Sequence, residues 1–582
     1  MCGEIIRTMI SMTEWNQADK PKQLPVKLMA LISLLQGLGL LYLHQAIELH
    51  YWPHQQPQWL FAFYSLVFIW PTMLLLGLNH NNGRAIVKLT LPFALLSGLL
   101  GYYIGHQVTP IEHIRFNALL YSFVFTMTIA TFKALMYSQQ WASGEKVTYS
   151  ALFIWSWRNF LTLSLALLFA GSFWLVLMLW GALFEAINID FFSDLFEERW
   201  FYYPAIALAN GFGIIIFRNL TRIIDTITRL QQALMKFLLA VLSLVSLLFL
   251  SALPFTGLDP LWESGGSSLI LWMQALMLFF VNAVYQHDSD TWPYPLWLHR
   301  FIYIGVAVLP IYSLISCYGL SLRIDQYGWS LSRYWAFLIW FLLALFPLGY
   351  WWGIAKYRDR WTLQLGRTNL AIGLVVLMAM LIVNSPMLDF RKMTVADQLQ
   401  RLADNKIKGD DFDLNYFRRH LARPGYEGLQ TLKAQYGEAH PGLVVRINAL
   451  YSDRNQEQAS STRDEFIAAI TLLSDNPPEA LLTAIYNQEV NQFWSIQQTR
   501  QYYLRALDLD LDGNQEYLWI KKRQEHTEIQ LFFQQGGQWT SLYIGTSQSV
   551  DQESLAGDIE VVPTRWNDLV IGNQRFRVRL ED

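Results

Sequence analysis

Between residues 28 and 383 the chain carries about eleven stretches of roughly 20 mostly apolar residues. No other feature limits the fold as severely. An α-helix rises about 1.5 Å per residue, so about 20 residues cross the hydrocarbon core of a bilayer. In lipid the backbone polar groups find no water, and a helix satisfies them within one segment. The stretches are 28–47, 58–78, 85–105, 116–137, 160–185, 202–217, 232–253, 267–286, 301–320, 334–351 and 369–383. The sixth and the last are short. Composition agrees: 15% of residues are charged, against about 25% in a soluble chain. Aromatic residues also reach 15%, including 24 Trp, a surplus suited to many membrane–water interfaces. The first stretch follows Lys20, Lys22 and Lys27. It is too long for a signal-peptide core and no A-x-A site follows, so it reads as the first membrane helix.

Basic residues orient the helices. With the N-terminus inside, segments on the inner side hold about 16 Lys and Arg and the outer loops about 4. Arg84, Lys88, Lys146, Arg158, Arg218, Arg222, Arg229 and the cluster Lys356, Arg358, Arg360 and Arg367 all fall inside. An odd number of crossings then puts the C-terminal part outside. The expected organisation is a cytoplasmic tail (1–27), a multi-helix transmembrane domain (28–386), a helical extracytoplasmic segment (387–499) and a small antiparallel β-rich unit (500–582). The expected fold class is a polytopic α-helical membrane protein with a C-terminal α+β extracytoplasmic domain. Cys2 and Cys317 fall on opposite sides in this topology and do not pair.

From residue 388 onward about 21 basic residues face about 28 acidic ones. That balance argues against nucleic acid, whose binders present a basic face. The bilayer is the certain partner; an envelope protein or lipid is the further expectation.

Polar residues inside apolar stretches are suspects for function, because hydrocarbon penalises them. Glu185 ends the fifth stretch. Asn210 sits among small residues in ALANGFG, where it suits interhelical bonding. Gln274 and Asn282, eight residues apart, share a face of the eighth. Pro310 and Pro347 are expected to kink their helices. Residues 151–160 and 218–229 read as interfacial basic stretches. His287, Asp288 and Asp290 form a weak polar cluster in an inner loop, better read as a solvated turn than a metal site. No HExxH, GxSxG, P-loop or paired-carboxylate pattern occurs. No catalytic residues are expected, and no cofactor other than a candidate calcium ion.

That ion belongs to the C-terminal part. Helices are expected over 394–402, 411–422 with Pro424-Gly425 as a stop, 426–436 and 462–473. After residue 500 the pattern alternates, and strands are expected over 502–509, 516–522, 528–533, 539–544, 558–562 and 576–580, with Gly536-Gly537 turning a hairpin. Between the first two strands lies DLDLDGNQE: Asp508, Asp510, Asp512, Asn514 and Glu516. Alternate carboxylates with a following Gly suit calcium, which takes six to eight oxygens. The EF-hand template fails, because its twelfth position is Trp519 rather than Glu. A shorter loop ending at Glu516 remains, beside the plainer reading of a polar hairpin turn.

GLSLRIDQYGWSLSRY, ending at Tyr334, gives the pattern RI-x-QYG-x-[ST]-x-x-RY. Together with WGALFEAINIDFF, WPYPLWLHRF and RLADNKIKGDDFDLNYFRRHLARPGYEGL, it resembles the bacterial membrane family called domain of unknown function 4153, over most of the chain to about Gly437. The resemblance implies a polytopic bacterial inner-membrane protein without an established activity. Within the motif, Arg323, Tyr327, Gly328 and Arg333 are placed in an outer loop over 321–333. Two arginines there oppose the charge bias, so an offsetting partner is expected, such as Asp325, lipid phosphate or the acidic C-terminal domain. The functional expectation is a non-enzymatic envelope protein whose helices anchor a binding domain. The alternative is a transporter with a polar path past Glu185, Asn210 and Asn282.

Overall fold

The computed structural model describes residues 24–571 and 574–576, apart from 145, 264–265, 286–292, 408–411, 438–440, 452–462, 475–476, 491–498, 500, 511, 524–525 and 548–568. His287, Asp288, Asp290, Cys2 and the strand expected over 558–562 lie outside the described residues.

Each of the eleven apolar stretches is helical. They are α1 (Val26–Glu48), α2 (Pro57–Gly77), α3 (Gly83–His106), α4 (Asn117–Ala142), α5 (Tyr149–Glu185), α7 (Arg199–Asn219), α8 (Thr221–Thr256), α10 (Ser267–Val284), the pair α11 (Leu296–Ala307) and α12 (Leu309–Tyr327), α13 (Leu331–Tyr357) and α14 (Thr362–Ile382). Short helices α6 (Phe191–Glu197) and α9 (Asp259–Glu263) lie between them. Among the described residues ten spans are long and apolar enough to cross a membrane, with α11 and α12 counting as one, and α10 is a shorter apolar helix. The chain is a multi-pass membrane protein.

The stretches read as interfacial do not form separate elements. Residues 151–160 are the first turns of α5, a helix of 37 residues, and Arg222 and Arg229 open α8, of 36 residues. At 1.5 Å per residue each spans more than 50 Å, roughly, against a hydrocarbon core of about 30 Å. Their polar turns therefore extend past the apolar layer, where Arg158 meets Asp225 at 3.7 Å. Pro347 lies within a continuous α13, whereas Pro310 follows a true break at Val308 between α11 and α12.

Helix contacts in lipid rest on close packing and polar bonds rather than on a hydrophobic force between helices. A Cβ on Gly101 of α3 would lie 2.7 Å from the Phe61 carbonyl oxygen of α2, so this crossing requires glycine. Gln139 and Asn159 exchange amide hydrogen bonds between α4 and α5 at 3.1 and 2.7 Å. The Arg218 guanidinium donates to the Leu75 carbonyl (2.6 Å) and to Asn79 Oδ1 (2.7 Å), satisfying acceptors where α2 ends.

The chain divides into two compact units: residues 1–398 with 419–425, and 399–418 with 426–582. Helix α15 (Phe390–Ala403) thus belongs to the membrane unit through Gln398. The second unit contains most of α16 (Leu414–His420) and of α17 (Ala422–Tyr436), with α18 (Pro441–Tyr451), α19 (Arg463–Ala468) and α20 (Glu479–Val490). Its sheet comprises β1 (Ile470–Leu472), β2 (Gln501–Leu507), β3 (Glu516–Lys522), β4 (Thr527–Gln535) and β5 (Gln538–Ser547), in that order; β1 is parallel to β2 and the rest are antiparallel. Strands β6 (Leu569–Ile571) and β7 (Gln574–Phe576) pair with each other.

Two expectations change here. Pro424-Gly425 does not stop a helix: it lies in the first turn of α17, where a proline lacking its N–H is tolerated. The boundary falls at Ala422, whose φ is 48°. The helix expected over 462–473 ends at Ala468, and the chain continues as β1. On one side of the sheet Trp519, Tyr502, Phe466, Leu481 and Ile485 pack together, all at most 1% exposed. Opposite them, Tyr503, Leu518, Ile520 and Leu531 form a second layer.

Candidate functional site

The family-like motif is a helix–turn–helix rather than a long loop. Arg323 and Tyr327 occupy the last turns of α12, and Arg333 the first turn of α13. Only Gly328, Trp329 and Ser330 lie between the helices. Gly328 takes φ 72°, a backbone region open to glycine. Ser330 caps α13 by accepting the Arg333 N–H at 3.4 Å. A cation at a helix N-terminus is unfavourable, but Arg333 reaches back to the end of α12. Its Nη1 donates to the Gly328 carbonyl at 2.7 Å, and its guanidinium lies 5.4 Å from the Tyr327 ring centre. Carbonyls at a helix C-terminus and an aromatic face thus help offset this charge. Arg323 is exposed.

The turn is held by the start of α15. The Trp329 N–H donates to Asp397 Oδ2 (2.9 Å), and Gln398 Nε2 donates to the Trp329 carbonyl (2.8 Å). Two adjacent side chains therefore satisfy both main-chain groups of one residue. The Trp329 ring stacks on Tyr334 at 4.4 Å, and Tyr334 on Phe390 at 5.3 Å. At the same helix start Asp389 is 3% and Arg391 6% exposed. Asp389 accepts from the Tyr103 hydroxyl (2.7 Å) and from the Arg391 N–H (3.0 Å). Burial pushes the Arg391 guanidinium below its ordinary range, and Asp389 opposes that shift. Sequence reading missed Tyr103, Asp389, Asp397 and Gln398. The last three lie close to the RLADN stretch already noted, but no spacing in the chain pairs them with Trp329 or Tyr103.

In the acidic turn three of the five proposed ligands converge. One carboxylate oxygen each from Asp508, Asp510 and Glu516 lies within 4.8 Å of the others. Strands β2 and β3 are in register from Gln501–Lys522 to Leu507–Glu516, so Asp508 and Glu516 stand where the ladder opens. The Leu509 N–H donates to Glu516 Oε2 (2.7 Å) and the Gly513 N–H to Asp508 Oδ2 (3.0 Å). Asp508 Oδ1 is buried without a partner among the described residues. Asp512 and Asn514 instead bond each other: the Asn514 N–H and Nδ2 donate to the two Asp512 oxygens at 2.7 and 2.9 Å. Those donors hold the Asp512 carboxyl below its ordinary range. Gly513, at φ 88°, makes the turn.

The three polar membrane suspects lie apart. Glu185 is exposed at the end of α5. Asn210 is half-buried in α7, and its Oδ1 has no partner. Asn282, in the last turn of α10, meets three other helices. Tyr350 Oη donates to Asn282 Oδ1 at 2.8 Å, Asn369 Nδ2 donates to it at 2.6 Å, and Tyr149 Oη donates to the Asn282 carbonyl at 3.0 Å. Gln274, two turns earlier, donates to Ser313 Oγ (2.7 Å) and to the Leu343 carbonyl (3.1 Å).

No curated protein and no solved structure matches the chain. The family model described as Domain of unknown function (DUF4153) matches residues 37–432. That match runs from within α1 through the remaining apolar helices, the Gly328 turn and the α15 clamp, and the chain belongs to this family.

Proposed function

We propose that this is a bacterial inner-membrane protein without catalytic chemistry of its own, whose helices anchor an extracytoplasmic binding unit. The unit would engage an envelope protein or lipid and hold a calcium ion in its acidic turn. The convergence of Asp508, Asp510 and Glu516 at the mouth of a paired hairpin carries the binding part of this reading. Three carboxylates that close repel one another unless a cation or protons intervene, and calcium takes oxygen ligands at 2.3–2.6 Å, roughly, in flexible geometry. The anchoring part is supported by the clamp on Trp329, which fixes the chain leaving α14 as far as Gln398. The inside-biased basic residues support an outer location for the C-terminal unit.

Calcium titration of the full-length protein in nanodiscs, followed by calorimetry, tests the ion. Saturable heat that Asp510→Ala abolishes and EGTA reverses is expected; a flat titration of the native protein removes calcium from the reading. The transport alternative rests on the Asn282 cluster. Solute flux through liposomes carrying the protein would overturn the anchor reading in its favour.

A further inference from the structure

We infer that the cluster of Asn282, Tyr350, Asn369 and Tyr149 is a binding site for one dehydrated alkali-metal cation. This inference is independent of whether the chain moves solute.

The first support is a count of hydrogens. Asn282 Oδ1 accepts from Tyr350 Oη and from Asn369 Nδ2. Tyr350 Oη also meets Asn369 Oδ1. A phenol has one proton, so it serves only one of these two carbonyl oxygens. One oxygen–oxygen contact remains unbridged, in a place where Tyr350 is 0% and Asn369 7% exposed. A small cation among the oxygens supplies the missing positive charge.

The second support comes from where the backbone stops. Helix α10 has only 18 residues, and the Asn282 carbonyl is among its last four, which lack partners within the helix. Among the described residues Tyr149 donates to it. A helix C-terminus carries about half a negative charge. Short and interrupted helices mark ion sites in membrane bundles because their free carbonyls replace hydration water. The bundle also contains the break at Val308 between α11 and α12, and both α12 and α13 pack against α10, through Ser313 and Leu343 at Gln274. The Asn282 carbonyl, the two amide oxygens and the two phenol oxygens give a neutral oxygen set. A neutral set suits a monovalent ion, whereas divalent ions favour carboxylates.

The competing arrangement has both amides turned over. Asn282 and Asn369 would then each donate to Tyr350 Oη, and no oxygen–oxygen contact would remain unbridged among these three side chains without an ion.

Thermal unfolding of the full-length protein in detergent, at equal ionic strength in sodium, potassium or choline chloride, separates the two. Sodium or potassium should raise the midpoint by about 2 °C or more over choline, in a saturable manner. Whichever ion does so identifies the occupant. Asn369→Ala and Tyr350→Phe should remove that difference. Should the variants fail to fold, radiolabelled sodium and potassium binding to the native protein decides. Equal midpoints in all three salts, no saturable binding, or a cation effect that survives in Asn369→Ala would overturn the site.

Discussion

At the scale of single residues the sharpest energetic constraint lies in the C-terminal unit. Lys521 and Glu489 are both 0% exposed, and their charged atoms lie 2.9 Å apart. Lys521 also meets Glu528 at 3.2 Å, Arg523 pairs with Glu528, and Trp519 Nε1 donates to Glu489 at 3.1 Å. Two cations and two anions thus balance beneath α20. Placing each charge in a low dielectric costs several kcal/mol, which only an intact partner offsets. Lys521→Met therefore leaves Glu489 buried without its cation, and a loss of about 3–5 kcal/mol is expected. Lys521→Met with Glu489→Leu replaces the pair by apolar volume and should recover most of that loss. Urea unfolding of the three proteins, followed by Trp fluorescence, measures it. A double variant no more stable than the single would show that packing, not charge, dominates there.

At the scale of elements the clamp on the Gly328 turn is the most informative. Asp397→Ala removes the acceptor for the Trp329 N–H, a bond to a charged group worth about 1.5–3 kcal/mol. The expected outcome is faster chymotrypsin cleavage at Tyr327 or Trp329 in the folded protein, with Asp325→Ala as a control that leaves the rate unchanged. Equal rates in all three would mean that the ring stack on Tyr334 and Phe390 holds the turn unaided. This clamp also shows what a one-dimensional reading captures. The apolar helices were legible because lipid leaves the backbone one local solution, and strands β2 to β5 because short runs rich in aromatic and aliphatic residues lie between turn residues such as Gly513 and Gly536-Gly537. Strand β1 was not, since its three residues pair in parallel with β2 across a long separation, and Ile470 to Leu472 carry no pattern of their own. Within the acidic turn the alternate carboxylates marked the segment in which Asp508, Asp510 and Glu516 converge. That Asp512 would bond Asn514 rather than join Asp508 depends on turn geometry that spacing does not encode. The pairing of Asp397 with Trp329 is likewise a tertiary fact between residues 68 apart.

For the whole molecule the side on which the C-terminal unit emerges depends on the parity of crossings, and parity turns on α10. Its 18 residues span about 27 Å, just short of a core of about 30 Å. A slightly short helix still crosses when its ends draw in the bilayer or flanking residues snorkel, at fractions of a kcal/mol per Å. A helix that failed to cross would leave Arg222 and Arg229, in the first turns of α8, on the side opposite Lys356, Arg358 and Arg360, against the charge bias. Eleven crossings are therefore expected, with the termini on opposite sides. A periplasm-active phosphatase fused after Asp582 should be active, and a cytoplasm-active fluorescent protein at the same site dark. Fusions after Val147, between α4 and α5, should give the reverse. If the fluorescent fusion after Asp582 lit instead while those after Val147 behaved as stated, one helix after α4 would not cross. The acidic turn would then face the cytosol, where free calcium is scarce, and its carboxylates would need another cation.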